Sequence, residues 1–431
     1  MNRSTEAVLL TSASVLAAMG VALVNLTGGR GPDAQVALTF IVFMLAFGTI
    51  HLSVRRWAAN ASPLLFPLAA FLSALGFTAV YRLDPELAAI QRWSLLVAAG
   101  VASLTLFFLR NEGVSVLRRY RYLSLAGAIA LLLLPLLPSS WPLGGAEVGG
   151  SRLWVRLDLP LAGRTLSFQP GEIAKLLVVV FLASYLADRH QSLAAMRRKI
   201  GPISIPEPRQ LFPILVAWLV AFGVLIYQRD LGASLLLFSA FIGLIYAATG
   251  QTSYLVAGTS LVGLGGIAAY QFFDHVQRRV ASWVDPFDDF TGTGYQLAQS
   301  LFALGSGSLT GTGLGLGQPN LIPAAATDFV FAAVAEEMGL AGSVAVLAAF
   351  ALLIAAGFGI ALRARDLFRK LLATGLTLVF GVQTILILAG VMRLFPVTGI
   401  TLPFMSYGGS SLMANMVLLA LLARISHGER V

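Results

Sequence analysis

The sequence predicts an all-α fold, a polytopic integral membrane helical bundle of about twelve transmembrane helices. Three observations lead there. Hydrophobic residues make up 57% of the 431-residue chain and charged residues only 11%, with a mean hydropathy of +0.83, whereas soluble domains carry about 25% charged residues. Apolar runs of roughly 20 residues, enough to cross about 30 Å of hydrocarbon, recur along the chain. The connecting loops alternate between rich and poor in Lys and Arg. No linker divides the chain, and a bundle of this size reads as one helical unit.

The runs fall near 7–26, 35–54, 62–81, 93–110, 123–138, 172–187, 211–228, 231–248, 254–272, 340–361, 371–391 and 409–424. The first follows Glu6, is too long for the apolar segment of a secretory signal and lacks a cleavage site, so it reads as a spanning helix. The sixth carries Glu172 and Lys175, and the eighth follows the seventh after a short break. With the N-terminus inside, cytoplasmic stretches collect 18 of the 29 basic residues, among them Arg118, Arg119, Arg121, Arg363 and Arg369. Ten lie in the opposite loops, Arg82 and Arg92 included, and Lys175 lies inside a span. Both termini are therefore expected in the cytoplasm of a bacterial cell, with the chain multi-pass in the cytoplasmic membrane. The net charge of +9 reflects topology and anionic lipid headgroups rather than nucleic acid. Absence of cysteine excludes disulfides, thiolate metal sites and a cysteine nucleophile.

Two external loops are long, 139–171 and 273–339. The second opens with SWVDPFDDFTGTGYQLAQS, in which Asp285, Asp288 and Asp289 fall close together. Grouped carboxylates can bind a divalent cation such as Mg or Mn, or repel one another enough to hold a general base near neutral pKa, or form a solvated acidic loop. The glycine series from Gly305 to Gly317 has neither nucleotide-binding spacing nor a Walker lysine, and reads as a tight loop packed against helices. Charges inside a span cost at least about 2.5 kcal/mol each, so Glu172 and Lys175, three apart on one helical face, read as an ion pair or as the wall of a polar cavity. Asp328, Glu336 and Glu337 recur in an apolar stretch suited to a re-entrant or interfacial helix. Arg393 stands at the external end of a span, where it snorkels to headgroups or clamps a lipid diphosphate.

These motifs together resemble the SEDS family, the group containing RodA, FtsW and the sporulation-specific relatives. The resemblance rests on SFQPGEIAK at 167–175, QRDLGASL at 228–235, WVDPFDDFTGTGYQLAQSLFALGSGSLTGTGLG at 283–315, TDFVFAAVAEEMGLAG at 327–342 and FPVTGITLPFMSYGGSS at 395–411. It implies a ten-helix glycosyltransferase core over residues 61–431, preceded by two additional transmembrane helices in residues 1–60. It further implies a peptidoglycan glycosyltransferase that polymerises lipid II, a disaccharide-pentapeptide on undecaprenyl diphosphate, outside the cytoplasmic membrane. Carried over by position, the catalytic aspartate is Asp289, ahead of Tyr295, with Asp285 and Asp288 as supporting or metal-site residues. Glu172 and Lys175 match the family's polar pair, and Asp230 matches the aspartate of its QPDLG motif.

The expected chemistry is deprotonation of an acceptor sugar hydroxyl by Asp289. Lys175, Arg152 and Arg393 would stabilise the leaving diphosphate, with or without a divalent cation. The chain departs from the family pattern at Ala324, Ala325 and Ala326, where relatives carry an acidic residue and a histidine, and at Arg229, which replaces a proline. The resemblance implies a class B penicillin-binding protein as partner, and the short cytoplasmic tail favours a RodA-like role. The competing classes are a lipid-linked oligosaccharide transporter, for which no internal repeat is apparent, and a noncatalytic scaffold.

Overall fold

The computed structural model describes residues 3–138, 141, 144–148, 151–159, 164–195, 197–200, 203–206, 223, 228 and 230–428. Among these, nine helices are long and apolar enough to cross a membrane. They are α1 (Arg3–Thr27), α2 (Ala34–Trp57), α3 (Leu65–Leu83), α4 (Pro85–Phe108), α8 (Leu231–Thr249), α9 (Thr252–Phe272), α12 (Val330–Arg363), α13 (Leu367–Val391) and α14 (Gly409–Gly428). Shorter helices are α5 (Ser115–Arg119), α6 (Arg121–Leu133), α10 (Asp274–Val284) and α11 (Tyr295–Ser306). The run expected at 123–138 is α6 with a single 3₁₀ turn after it, and that at 172–187 lies within α7 (Gly171–Ala195). The run at 211–228 lies outside the described residues, Gly223 and Gln228 apart, as does Arg229.

The chain forms two compact units rather than the single one expected, residues 1–110, 266–356 and 383–431 in the first, 111–265 and 357–382 in the second. In the first, α1 packs on α2 and α3, α2 on α4, and α4 on α14. Helix α3 is the most enclosed span, with 83% of its apolar window buried. The N-terminal helices dock through specific contacts as well as apolar ones. Phe43 of α2 meets Phe77 of α3 edge-on at 5.4 Å, while Tyr81 donates to Asn25 Oδ1 at 3.0 Å and Asn25 Nδ2 to Asp33 Oδ1 at 3.1 Å. Both chain ends adjoin one turn: Arg3 donates to the carbonyls of Ala58, Ala59 and Ala61, and Ser426 and His427 accept from the amides of Ser62 and Asn60. The termini therefore share a side.

Hydropathy places the start of α4 too late. Asp84 caps the helix, accepting from the amides of Glu86 at 2.8 Å and Leu87 at 3.1 Å, and Pro85 at the first position supplies a preset φ. Arg92, expected in an external loop, consequently lies inside α4 and is only 5% exposed, with its guanidinium 6.0 Å from the Phe77 ring centre.

In the second unit α6 packs on α7 and α7 on α8. Within the loop 139–171, expected to be external, β1 (Gly145–Val148), β2 (Ser151–Leu159) and β3 (Arg164–Phe168) form an antiparallel sheet in that order, with Val155 opposite Phe168. A hairpin, β4 (Arg197–Ile200) with β5 (Ile203–Pro206), follows α7.

Helix α12 is broken at Gly339, where φ is 65° and ψ is −162°. A break exposes amides and carbonyls that hydrocarbon cannot satisfy. The glycine series supplies them. The amides of Thr312 and Gly313 donate to the carbonyls of Glu336 and Glu337 at 2.9 and 3.0 Å, and those of Leu340 and Ala341 donate to the carbonyls of Ser308 and Leu309 at 2.9 and 3.2 Å. Gly311, Gly313 and Gly315 take positive φ, and a Cβ at Gly311 or Gly339 would overlap the opposing backbone. The expected tight loop against a helix is thus observed, with its partner identified as the helix break. Gly339→Ala combines strain of about 1–3 kcal/mol with that overlap and is expected to lower the melting temperature of the purified protein by several degrees. Gly100→Ala, in the interior of α4 with nothing within 4 Å, is expected to keep it or raise it slightly, as read by size-exclusion chromatography after heating.

Candidate active site

The acidic loop begins where α10 ends, and the end of α10 is held by Arg393. Arg393 Nε donates to the Trp283 carbonyl at 3.0 Å, its Nη2 donates to the Val284 carbonyl, and the Trp283 indole returns a bond to the Arg393 carbonyl at 3.1 Å. A cation on the last carbonyls of a helix is favourably placed against its dipole. The side chain expected to snorkel or to clamp a diphosphate here holds the end of the helix from which Asp285 emerges.

Beyond it the chain folds on itself. Asp285 Oδ1 accepts from the Phe287 amide at 3.0 Å. The Asp289 carbonyl accepts from the amides of Gly292 and Gly294, both at 3.1 Å. Asp289 Oδ2 accepts from Thr293 twice, from its amide at 2.7 Å and its hydroxyl at 3.0 Å. Glycine is required twice here: a Cβ at Gly292 would press on the Asp289 carboxylate and one at Gly294 on the Pro286 carbonyl. Tyr295 then opens α11, which Ser300 ties to the end of α13 through the Val391 carbonyl at 3.1 Å. Rings of Phe287 and Phe290 lean on Phe302 at 5.9 and 6.2 Å.

Asp289 is exposed, and the Thr293 amide and hydroxyl hold its carboxyl below the usual carboxylate range. Of the alternatives open for the grouped carboxylates, a general base lifted toward neutrality by mutual repulsion is not the one observed at Asp289, because hydrogen bonds to the charged form dominate. The side chain is ionised at neutral pH. Asp285 and Asp288 do not gather with it: among the described residues no group of three or more His, Cys, Asp or Glu side chains is arranged to hold a metal ion. A divalent cation at this loop would rest on one or two carboxylates together with substrate phosphates.

In the second unit, Lys175 Nζ lies 2.7 Å from Glu172 Oε2 with both side chains buried. Asp230 caps α8 by accepting from the Ala233 amide at 2.8 Å, and Gln228 donates to the Leu132 carbonyl at 2.6 Å. Arg152 is exposed on β2. In the first unit, Glu336 accepts from the Gln318 amide at 2.8 Å, and Arg82 lies 3.2 Å from Glu337 while donating to the Gly317 carbonyl. These acids therefore brace the glycine loop. Trp283 and Thr293 lie within the motif at 283–315 without being singled out there, and Arg279 lies outside every quoted motif. The short spacing from Asp289 to Thr293 in a glycine-punctuated turn was the one available signal for the threonine.

The architecture and this loop match known proteins. Residues 35–431 match the model of the FtsW/RodA/SpoVE cell cycle protein family. The chain belongs to that family. It is 40% identical over 440 residues to peptidoglycan glycosyltransferase RodA of Mycobacterium tuberculosis, covering 99% of this chain and 91% of the relative. Its fold matches a chain from a structure on the coordination of polymerization and crosslinking by a peptidoglycan synthase complex, with a TM-score of 0.67 and 27% identity over 86% of this chain and 98% of that one. Thermus thermophilus rod shape determining protein RodA gives a TM-score of 0.58, again at 27% identity, over 87% of this chain and 99% of its own.

The buried pair in α7 makes a sharp prediction for this family member. Removing one partner strands a buried charge at a cost of about 3–5 kcal/mol, whereas neutralising both is far milder. Lys175→Met alone is expected to destabilise the protein more than the double change Glu172→Gln with Lys175→Met, measured as melting temperatures in one detergent.

Proposed function

We propose that the chain is a peptidoglycan glycosyltransferase that polymerises lipid II into glycan strands at the outer face of the cytoplasmic membrane. The observation that carries this is an exposed, ionised Asp289 held by Thr293 on a loop fixed at its root by Arg393, in a multi-pass family member. A substrate tethered by a prenyl diphosphate remains in lipid while its sugars reach that loop. Asp289 accepts the proton of the acceptor sugar hydroxyl as its oxygen bonds to the donor's anomeric carbon, the bond from that carbon to the diphosphate breaks, and the diphosphate leaves with the electron pair. A single displacement inverts the anomeric centre. The cations expected to stabilise a leaving diphosphate, Lys175 and Arg152, belong to the second unit.

The basic loops support a cytoplasmic location for the shared side on which both termini lie. The mycobacterial relative supports a RodA-like role in elongation, and the synthase complex supports a crosslinking partner of the class B penicillin-binding type. Asp289→Asn removes the proton acceptor without disturbing a core, since the side chain is exposed. It is expected to abolish glycan formation from labelled lipid II on gels, a loss of at least about 100-fold for a missing general base, while membrane insertion and melting temperature hold. Wild-type turnover in that variant would overturn the assignment.

A further inference from the structure

The segment 396–408, between α13 and α14, has no regular structure, yets its backbone is secured from two sides. From α10, Arg279 Nη1 donates to the carbonyls of Val397 at 3.2 Å and Thr398 at 3.0 Å. From the stretch before α12, the Ala326 carbonyl accepts from the Tyr407 amide at 2.8 Å and the Thr327 carbonyl accepts from the Ser406 hydroxyl. Ser406 also accepts from the Leu402 amide at 2.8 Å, closing the segment on itself. Arg279 and Asp328 meet at Gly399, whose φ is 72°: a Cβ there would stand 3.5 Å from Arg279 Nη2 and 3.9 Å from Asp328 Oδ2. A guanidinium and a carboxylate thus converge on one exposed glycine, and the same helix that carries Arg279 runs on into Asp285.

We propose that Arg279 and Asp328 form a positioning pair that clamps α10 to segment 396–408 and so sets the Asp285–Asp289 loop for reaction. The inference rests on the proposed polymerase reading. Arg279 supplies the donors that grip the segment, and Asp328 supplies the charge that keeps the guanidinium at Gly399. Arg393 grips the far end of α10, so the helix is held at two points along its length. A loop carrying a catalytic side chain loses rate when displaced by about 1 Å even if substrate binding is unchanged, which makes the effect of this pair one on kcat.

Burial pushes the Asp328 carboxyl up to about 6, against the opposing Thr327 hydroxyl and Arg279 guanidinium. Protonation below that value removes the counter-charge. The facing charge is Arg279, and segment 396–408 carries one titratable side chain, Tyr407, which burial keeps neutral by raising it. The acid limb of activity therefore belongs to Asp328, because Asp289 titrates lower.

The test uses the full chain in proteoliposomes with labelled lipid II, measuring kcat and KM from pH 5 to 8, alongside hydrogen exchange of residues 283–294. Arg279→Ala is expected to lower kcat at least tenfold with KM within about threefold of wild type, and to speed exchange in the loop, while Arg279→Lys recovers part of the rate. Asp328→Asn is expected to lower kcat and to flatten the acid limb. A change in KM exceeding that in kcat would make Arg279 a substrate contact, and an unaltered acid limb in Asp328→Asn or unaltered loop exchange in Arg279→Ala would equally overturn the proposal. Should Arg279→Ala fail to fold, Arg279→Lys and Asp328→Asn decide by the same readouts. Absence of glycan products from the wild-type chain instead overturns the polymerase reading, and loop exchange, which requires no turnover, still decides the clamp.

Discussion

Hydrocarbon offers a peptide group no hydrogen-bonding partner, and the architecture follows from that constraint. Continuous helices meet it within themselves. Where the chain departs from a helix it must bring the missing partners along, and the break in α12 at Gly339 shows how: a glycine-rich strand of backbone lies across the gap and exchanges bonds with both helix halves. Glycine is needed because the two backbones approach too closely for any Cβ. The acids beside the break are then explained, since Glu336 and the Arg82–Glu337 pair satisfy the polar groups that the crossing loop brings in. Charge in this part of the molecule serves backbone satisfaction first.

The same economy governs the reactive loop. Its root is a helix end capped by Arg393 and its tip is a turn closed by the Asp289 carbonyl and carboxylate. Only one face of that carboxylate is used by Thr293, so an exposed oxygen remains beside exposed phenylalanines. A rigid root with an accessible tip is what a reaction at the lipid–water boundary requires, because the substrate's tail stays in the bilayer and only its sugars need come to the loop.

Much of this was legible in the chain. Hydropathy located the nine spans seen among the described residues because a bilayer imposes one length on each. The Glu172–Lys175 pair was readable because helical spacing alone brings residues three apart together. Asp289 emerged from a resemblance, and the choice among the readings of its carboxylate stayed open in the sequence because the donors at Thr293 depend on the exact path of a turn. The functions of Arg393 and Arg279 were hidden for a different reason. Each acts on backbone carbonyls more than 100 positions away, and a carbonyl leaves no trace in composition or spacing. The early start of α4 was missed because Asp84 and Pro85 act through capping, which hydropathy does not register.

A carboxylate held below its usual range is a weak base, which at first argues against Asp289 as the proton acceptor. The leaving group resolves the difficulty. Diphosphate departs readily, so bond breaking at the anomeric carbon runs ahead of attack and leaves that carbon electron-poor. The attacking oxygen becomes acidic only as its bond to that carbon forms, and a weak but fully ionised base suffices for a proton that comes late. In the proposed reaction the hydrogen bonds from Thr293 serve two ends: they favour the charged form of Asp289, and by holding Oδ2 they leave the other oxygen for the acceptor. A carboxylate tuned toward neutrality would be the stronger base but would be partly protonated, and a looser turn would be needed to raise it.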